Sequence, residues 1–504
     1  MTDVLIDNLI KPSDRIANGA DGLRLGDEGN AIRLVLLHGD HFRYVRKWEK
    51  FIVYRAGKWV IDGNEVLMSD LARDVSRTMF QDIETYRTTG ILDYDQNGNV
   101  VVLGDSDDAP PLYRPWTDAE RDAWWTGARS AERRSNIANM IALALPLSLI
   151  EHTDLDRDPF ILNVLNGSVD LRTGNLERWS EADYCTIQSP IWYNPLVTSA
   201  LWEECLETWQ PDAEIRDYLQ LEAGAAFTGH PTETLSIHYG SGGNGKSKYF
   251  GALQYVLADY AVVPDRSLVL QTKYEPHPTV MAALCGKRLA VLPETGTQSK
   301  LNAEQVKNLT GGDRRTGRRM REDPWEYSPT DTLVMFCNHM PTIQDTSDGI
   351  WRRVRVIPWA VTIPPDKIDE NLAEKLRAEA QGILTWAVEG AVRFVAGGCK
   401  LPMPHKVAVS TADYKQHENV AARFVADCLN IKRSGRARID LLKAKLTSYC
   451  ADNGLDEPRW TEVTEVLSRC GGETKVFHGS RCWVGFEFAD STDDDATDLA
   501  SRGI

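Results

Sequence analysis

Residues 235–257 of the chain, LSIHYGSGGNGKSKYFGALQYVL, decide the fold. The run Leu235–Tyr239 predicts a short buried strand, and the residues from Lys246 onward place apolar side chains at helical spacing, which predicts a helix. Between these two elements, Gly240 to Ser247 fit the pattern G-x-x-x-x-G-K-[ST] at every position. Strand, loop and helix therefore follow one another in the order that a phosphate-binding loop requires.

This loop carries the groups that a nucleoside triphosphate needs. Its glycines let backbone N–H groups turn inward around the phosphates, and the helix that follows adds its N-terminal dipole. We expect Lys246 to reach the β- and γ-phosphates and the Ser247 hydroxyl to hold Mg²⁺. The predicted nucleotide-binding residues are Gly240, Ser241, Gly242, Gly243, Asn244, Gly245, Lys246 and Ser247.

Two apolar runs downstream end in polar side chains. KRLAVLPET, residues 287–295, predicts a strand that leads to Glu294, an acid placed to polarise an attacking water or to hold Mg²⁺. TLVMFCNHMP, residues 332–341, predicts a second strand that leads to Asn338, a neutral group suited to touch the γ-phosphate or the water. An acidic residue usually precedes the acid at the position of Glu294, but here the preceding residue is Pro293. The sequence therefore leaves open whether Glu294 holds the metal or acts as the base.

Composition limits the class of protein around this core. The chain has 504 residues, 42% of them hydrophobic, and a formal net charge of −16. This length suggests about three or four domains, and the apolar content excludes a wholly disordered chain. Charges interrupt every apolar stretch before the roughly 20 residues that a membrane span needs, so no membrane partner is expected. Nine scattered cysteines without a CxxC pair favour a reducing, intracellular compartment and argue against a zinc ribbon.

One short segment reverses the acidic balance of the chain. The segment GGDRRTGRRMREDP, residues 311–324, contains five arginines within eight residues, Arg314, Arg315, Arg318, Arg319 and Arg321. Binding to a nucleic-acid backbone needs such a local patch of positive charge, because the phosphates supply most of the affinity. A solvated basic loop without a ligand is the alternative interpretation.

The motifs and their order resemble a known family. The run from Leu301 to Trp359 resembles the superfamily 3 helicase domain of phage and plasmid primase-helicases and of the poxvirus helicase-primase. Residues 41–63 and 163–176 are similar to the N-terminal domain that precedes this helicase core in the family. The resemblance covers most of the chain, from about residue 35 to residue 430.

The resemblance assigns roles to these residues. It implies that the nucleotide is ATP, that Glu294 is the Walker B acid and that Asn338 is the polar sensor. It also implies that Lys307 and the Gly311–Asp313 motif, with Arg318 on the following loop, face the channel of a homo-hexameric ring and grip single-stranded DNA.

The pair Arg352–Arg353 matches the arginine-bearing segment of the family, which resembles a finger donated to the neighbouring subunit. Such a cation stabilises charge that builds on the γ-phosphate. Because adjacent residues of an extended segment point to opposite sides, we expect one arginine to reach the neighbour and the other to pair within its own subunit. A solvated or salt-bridged pair is the alternative.

The predicted fold class is α/β, with a P-loop, AAA+-like ATPase core, an α+β N-terminal domain and a C-terminal winged-helix-like domain. The predicted boundaries are 1–110 for the α+β domain, 111–200 for its helical and hairpin part, 201–400 for the core, 401–490 for the winged-helix-like domain and 491–504 for an acidic disordered tail. The two helices and hairpin of the third domain carry the winged-helix resemblance, and a small packing domain is the alternative.

These observations predict an ATP-dependent DNA helicase of superfamily 3 that translocates on single-stranded DNA during phage or mobile-element replication. Expected partners are a primase or polymerase, and the expected location is the host cytoplasm if a phage encodes the chain. A non-unwinding packaging motor or regulatory switch, or an ATP-dependent replication initiator, is the alternative. The basic loop after Gly311 favours translocation, because a switch does not need such a loop.

Overall fold

The computed structural model divides the chain into two compact units, residues 1–195 with 258–260, and residues 196–257 with 261–504. The residues that it describes are 21, 23–93, 101, 111–273, 278–292, 299–320, 323–345, 347–455 and 457–489. Within these ranges, no helix combines the length and the apolar character that crossing a membrane requires.

The first unit combines helices with two small sheets and a pair of short strands. Its helices are α1 Asp27–His38, α2 Val66–Thr89, α3 Asp118–Ala131 and α4 Arg134–Ala144. Its strands are β1 Phe42–Val45, β2 Lys50–Arg55, β3 Lys58–Asp62, β4 Ile91–Leu92, β5 Tyr113–Arg114, β6 Leu149–Ile150, β7 Ile161–Val164, β8 Gly167–Asp170 and β9 Asn175–Glu177. One sheet has the order β3-β2-β1-β6, the other is the meander β7-β8-β9, and β4 pairs with β5.

Sequence patterns explain these elements. The helix α3 begins at a capping box, in which the Thr117 hydroxyl accepts from the Glu120 amide and the Glu120 carboxylate accepts from the Thr117 amide. The meander matches the alternation of apolar and polar residues in 160–179, with turns at Asn and Gly positions. Trp124 of α3 is fully buried against the helices of this unit.

The second unit is built on a five-stranded parallel sheet. Its strands are β10 Leu235–Tyr239, β11 Ala261–Val262, β12 Leu289–Leu292, β15 Thr332–Cys337 and β16 Val354–Pro358, in the order β11-β12-β15-β10-β16. Its helices are α5 Ala200–Trp209, α6 Ala213–Phe227, α7 Lys246–Leu257, α8 Thr279–Ala282, α9 Ala303–Leu309, α10 Asp348–Trp351, α11 Leu372–Ala378 and α12 Ala380–Ala396. A separate antiparallel hairpin pairs β13 Arg315–Gly317 with β14 Trp325–Tyr327. The predicted α/β character of this region is confirmed.

The position of β10 in this sheet sets up the site. It lies between β15 and β16 and is parallel to both, with Tyr239 opposite Cys337 and Pro358. The residues that follow β10 and β15 therefore leave the sheet side by side at one edge. The chain order also changes direction at β10, and ligands of open parallel sheets bind in the crevice at such a point.

A close contact between two helices fixes the layer beside the sheet. A Cβ atom on Gly224 of α6 would lie 2.1 Å from the backbone of Gly390 in α12, so these helices touch through their backbones. The same helix α6 carries the buried Glu222, whose carboxylate lies 2.9 Å from His238 Nε2 of β10.

The last part of the second unit contains helices and a small antiparallel sheet. Its elements are α13 His405–Glu418, α14 Val420–Cys428, β17 Leu429–Arg438, α15 Ile439–Asn453, α16 Trp460–Arg469, β18 Glu473–Phe477 and β19 Ser480–Phe488. The predicted hairpin is present, with Gly479 at its turn in a left-handed conformation of φ 80°. The strand β17, which pairs with β19, was not predicted, since its cations and its irregularity between Ile431 and Arg436 hide the alternation. The predicted acidic tail lies outside the described residues.

Candidate functional site

The loop after β10 adopts a conformation that depends on glycine. Gly242, Gly243 and Gly245 have φ values of 97°, 62° and 91°, in the left-handed region where other residues are strained. A Cβ atom on Gly245 would lie 2.4 Å from the indole ring of Trp209. Both backbone conformation and space therefore require glycine at position 245.

A second tryptophan closes the other side of the loop. A Cβ atom on Gly240 would lie 2.3 Å from the carbonyl oxygen of Trp359. The Trp359 amide donates to the Tyr239 carbonyl at 2.7 Å, and its carbonyl accepts from Asn244 Nδ2 at 3.2 Å. The loop is thus held between Trp209 and Trp359, two residues that the motif does not contain.

The lysine of the motif lies inside this loop. Only 3% of Lys246 is exposed, and its Nζ donates to the Gly240 carbonyl at 2.8 Å and to Asn244 Oδ1 at 3.0 Å. The same ammonium donates to Asn338 Oδ1 at 3.3 Å. Within the described part of the chain, these three oxygens lie around the cation at the centre of the loop, where phosphate oxygens can replace them.

The strand register explains how Asn338 reaches the loop. Asn338 follows Cys337, the last residue of β15, and Cys337 lies opposite Tyr239, the last residue before the loop. The structure therefore brings Asn338 and Lys246 together, which the sequence placed 92 residues apart. Glu294 lies outside the described residues, and the preceding strand β12 ends at Leu292 beside β15.

The first turn of α7 offers an oxygen ligand. Ser247 is exposed, one residue after the buried Lys246. Mg²⁺ takes oxygen ligands and is held in nucleotide sites by one or two protein groups together with the phosphates. The exposed hydroxyl beside the loop fits that requirement, and Ser241 is exposed at the opposite end of the motif.

The two candidate finger arginines differ in their surroundings. Arg353 is half-buried, and its Nη1 donates to the Gly349 carbonyl at 2.7 Å. Arg352 is exposed, and among the described residues its side chain has no hydrogen bond or ion pair. The pair therefore divides into one arginine held within its own chain and one that faces solvent.

The arginine hairpin, residues 314–327, is anchored at its base. Arg315 is 5% exposed and forms a buried ion pair with Asp331, while its Nη2 donates to the Leu309 carbonyl at 2.6 Å. Burial raises the pKa of Asp331 despite this pairing. Arg315 was predicted to bind DNA, but its side chain lies in the interior of the fold, where it fixes the hairpin.

The hairpin carries exposed cations at its tip and beside its base. Arg318 and Arg319 are exposed at the tip, and Arg314 is exposed just before β13. The Arg319 guanidinium lies 5.3 Å from the centre of the Trp325 ring. Met320, also at the tip, is 72% exposed. Arg321 lies outside the described residues. This surface therefore combines positive charge with an aromatic ring and an apolar side chain.

Lys307, the remaining cation predicted to bind DNA, forms an ion pair. Its Nζ contacts Asp345 Oδ2 at 2.5 Å and Ser347 Oγ at 3.1 Å. Burial alone would raise the pKa of the Asp345 carboxyl, but hydrogen bonds from Lys307 and Ser347 outweigh it and lower that pKa. Lys307 thus joins α9 to the segment before α10, and about one third of its side chain is exposed.

Sequence reasoning missed the residues beneath the loop. These are Glu222, His238, Trp209 and Trp359, all of them buried. Aromatic rings surround them, with Tyr249 stacked on Trp202 at a centroid distance of 5.5 Å. No local pattern marked these residues, since Trp359, for example, lies 115 residues after Asn244 of the loop.

Two family models match the chain. A model described as D5 N terminal like matches residues 31–211, and a model described as a family of unknown function matches residues 238–353. Together they cover more than half of the chain, and the second includes the loop, Asn338 and the arginine pair.

Several viral proteins are similar to the chain over part of their length. A protein of Acanthamoeba polyphaga mimivirus named as a helicase is 26% identical over 300 residues, 55% of this chain and 31% of that protein. A protein of Invertebrate iridescent virus 6, also named as a helicase, is 28% identical over 238 residues, 44% of this chain and 24% of that protein. A protein of African swine fever virus named as a primase is 26% identical over 212 residues, 40% of this chain and 22% of that protein. The chain spans a third or less of these relatives.

Among solved structures, the C-terminal region of NrS-1 matches with a TM-score of 0.45 and 11% identity, over 90% of this chain and 97% of that one. The family models and the viral relatives confirm the resemblance that the sequence motifs predicted.

Proposed function

We propose that this chain, a member of the phage and viral primase-helicase family, is an ATP-dependent DNA helicase of superfamily 3. The observation that carries this proposal is the meeting of Lys246 and Asn338 at the carboxyl ends of two adjacent parallel strands. A cation and a polar side chain at the end of a glycine-rich loop suit the binding and the hydrolysis of a nucleoside triphosphate.

ATP binding is assigned to the whole loop from Gly240 to Ser247. Lys246 exchanges its contacts with neutral oxygens for the β- and γ-phosphates, and the positive-φ glycines turn backbone N–H groups toward them. Ser247 supplies the protein oxygen for Mg²⁺. With Ser247 as its protein ligand, a bound Mg²⁺ would offset the negative charge of the phosphates.

Hydrolysis is assigned to residues at the same edge of the sheet. Asn338 is positioned to touch the γ-phosphate or the attacking water, since its Oδ1 already lies 3.3 Å from Lys246 Nζ. We propose Glu294 as the acid that orients this water, because it follows the neighbouring strand β12.

The finger acts on the neighbouring subunit, and the sheet geometry supports this. Leu235, the first residue of β10, donates to the Arg353 carbonyl, so the arginine pair lies at the amino end of the strand whose carboxyl end forms the loop. Five residues at about 3.3 Å each separate these ends by about 16 Å. No arginine side chain spans that distance within one chain, which supports the proposal that the finger serves the loop of another subunit. The exposed Arg352 is the better candidate.

Single-stranded DNA is the proposed ligand of the arginine hairpin. The hairpin offers Arg318 and Arg319 at its tip and Arg314 beside its base to the phosphates, and Arg319 and Trp325 form a surface on which a base can stack. A homo-hexameric ring would gather these tips around one strand. Lys307 and Arg315 act in this proposal by holding the hairpin and its surroundings.

The same proposal includes the domain organisation. The region 201–400 is assigned as an AAA+-like core, and the region 401–490 as a winged-helix-like domain. Support for the latter comes from α14, α15 and α16 packed on the sheet β17-β19-β18, whose last two strands form a hairpin. A primase or polymerase is the proposed partner during phage or mobile-element replication.

An ATPase assay with and without single-stranded DNA tests the proposal. We expect Mg²⁺-dependent hydrolysis that DNA stimulates, unwinding of a forked duplex and a shift to a ring-sized species when nucleotide is added. Hydrolysis without DNA stimulation or unwinding would instead indicate a regulatory ATPase. Absence of hydrolysis in the folded full chain would contradict the assignment of the loop.

A further inference from the structure

A buried polar chain lies directly beneath the nucleotide loop. Glu222 of α6 and His238 of β10 are 2% and 0% exposed, and Trp359 follows β16. None of these residues belongs to the motif. Residues 235 to 238 of β10 are all buried, and because side chains alternate along a strand, the polar Ser236 and His238 share the face opposite to the apolar Leu235 and Ile237.

The hydrogen bond from Trp359 determines which nitrogen of the His238 ring carries the proton. Trp359 Nε1 donates to His238 Nδ1 at 3.0 Å, so Nδ1 accepts and carries no proton. The proton of a neutral imidazole then lies on Nε2, which is 2.9 Å from Glu222 Oε2. Burial alone would raise the pKa of the Glu222 carboxyl, but His238, Ser236 and Arg355 outweigh it and lower that pKa.

Trp359 connects this chain to the loop. Its backbone holds the loop at two points, through the Tyr239 carbonyl just before it and through Asn244 within it. Asn244 Oδ1 in turn accepts from Lys246 Nζ at 3.0 Å. The contacts therefore run without a gap from the carboxylate of Glu222 through His238, Trp359 and Asn244 to the lysine.

We propose that His238 is a positioning residue of the nucleotide site, which sets the orientation of Trp359 and thereby the place of Asn244 and Lys246. The inference rests on the proposed ATPase function. A buried polar chain costs desolvation energy that an apolar residue would avoid, and its geometric effect is to restrict Trp359 to one orientation. Small displacements of a phosphate-binding group have large effects on rate, about 100-fold for roughly 1 Å.

Two substitutions separate the two contacts of the imidazole. His238→Asn places an amide oxygen near the position of Nδ1 and retains an acceptor for Trp359, whereas His238→Gln places its amide near Nε2 and retains the contact with Glu222. We expect kcat for MgATP to fall about 10- to 100-fold in His238→Gln and to recover most of the wild-type value in His238→Asn. Thermal unfolding should follow the opposite order, because Asn leaves Glu222 without its neighbour.

Wild-type kcat in His238→Gln, or a loss confined to His238→Asn, would overturn the inference. If both variants fail to fold, Trp359→Phe removes the indole N–H and keeps an aromatic ring, and a wild-type kcat in that variant would overturn it equally. Failure of the proposed function is distinguishable, because in that case the wild-type chain itself does not hydrolyse ATP.

Discussion

The nucleotide loop and the arginine hairpin belong to the same unit, and both carry cations that the sequence assigned to phosphates. Their physical settings are opposite. Lys246 is 3% exposed and donates to three acceptors among the residues that the structure describes, whereas the side chain of Arg314 is 73% exposed and lies 3.8 Å from its partner Glu326. A buried cation held by several acceptors acts by its fixed position, whereas an exposed one acts by its charge alone.

This difference separates two kinds of phosphate recognition. A preorganised cation in a dry loop stabilises charge that develops during a reaction, and its removal changes the rate. Exposed arginines release counterions when they meet a nucleic-acid backbone, and their removal changes affinity and its dependence on salt. We therefore expect substitutions in the loop to act on catalysis and substitutions in the hairpin to act on DNA binding or on folding.

The largest effect is expected for Lys246→Ala. This variant removes the ammonium at the centre of the loop, so ATP turnover should fall below detection while the sheet remains folded. Steady-state ATPase activity and thermal unfolding measure the two properties. Lys248→Ala, two residues further along α7, is the matched control and should retain activity. If a folded Lys246→Ala protein hydrolyses ATP at the wild-type rate, the loop does not act through this fixed cation. The proposed difference between the loop and the hairpin would then be wrong.

The second-largest effect is expected for Arg352, the proposed finger at the subunit interface. Arg352→Ala should lower turnover by about 10³- to 10⁵-fold, as loss of a finger does in other phosphate-loop enzymes, and leave ATP affinity nearly unchanged. Arg353→Ala should lower stability more than turnover, because its guanidinium holds the Gly349 carbonyl.

Mixed rings provide the test of catalysis between subunits. Lys246→Ala subunits combined with Arg352→Ala subunits should regain part of the ATPase activity, because some interfaces then pair an intact loop with an intact finger. If mixed rings form and stay inactive, Arg352 does not act on its neighbour. Recovery with Arg353→Ala subunits and none with Arg352→Ala subunits would assign the finger to Arg353.

The two regions were also unequally predictable from sequence. The strand, the loop and the helix of the nucleotide site follow from local patterns, because the motif fixes the backbone through its glycines. The meeting of Asn338 with Lys246 follows from the parallel arrangement of β10 and β15, which apolar runs already indicated. The contacts of His238 beneath the loop could not be predicted, since Glu222 lies on the separate helix α6 and Trp359 is 121 residues away in sequence.

The hairpin shows the same limit more clearly. The sequence of the hairpin segment contains five arginines and gives no basis for distinguishing them. Only the fold shows that Arg315 points inward to Asp331. The alternation along β13 was an available signal, since Arg315 and Gly317 are buried on either side of the exposed Thr316. A strand of three residues is too short for that pattern to decide the direction of one side chain.

Arg315→Ala tests this division within the hairpin. Removing one partner of a buried ion pair leaves Asp331 uncompensated, and such changes cost about 3–5 kcal/mol of folding free energy. Chemical denaturation should show this loss. The DNA affinity of the protein that remains folded should change little. Arg314→Ala is the matched control, because its exposed side chain should contribute almost nothing to stability. Equal stability of the two variants would contradict the structural role of Arg315.

The smallest effect is expected at the tip of the hairpin. The double variant Arg318→Ala/Arg319→Ala removes two exposed cations, so affinity for single-stranded DNA should fall modestly. The slope of log affinity against log salt should decrease by about 1.4, since each phosphate contact on a single strand contributes about 0.7. Fluorescence anisotropy with a labelled oligonucleotide at several salt concentrations measures this slope.

Arg393→Ala on α12, which removes an exposed arginine paired with Asp217, controls for the general loss of positive charge. If both proteins lose the same slope, the hairpin does not contact the strand. If the double variant also loses the ATP hydrolysis that is measured in the absence of DNA, its arginines act on catalysis. The contrast between a fixed cation in the loop and a surface charge in the hairpin is then wrong.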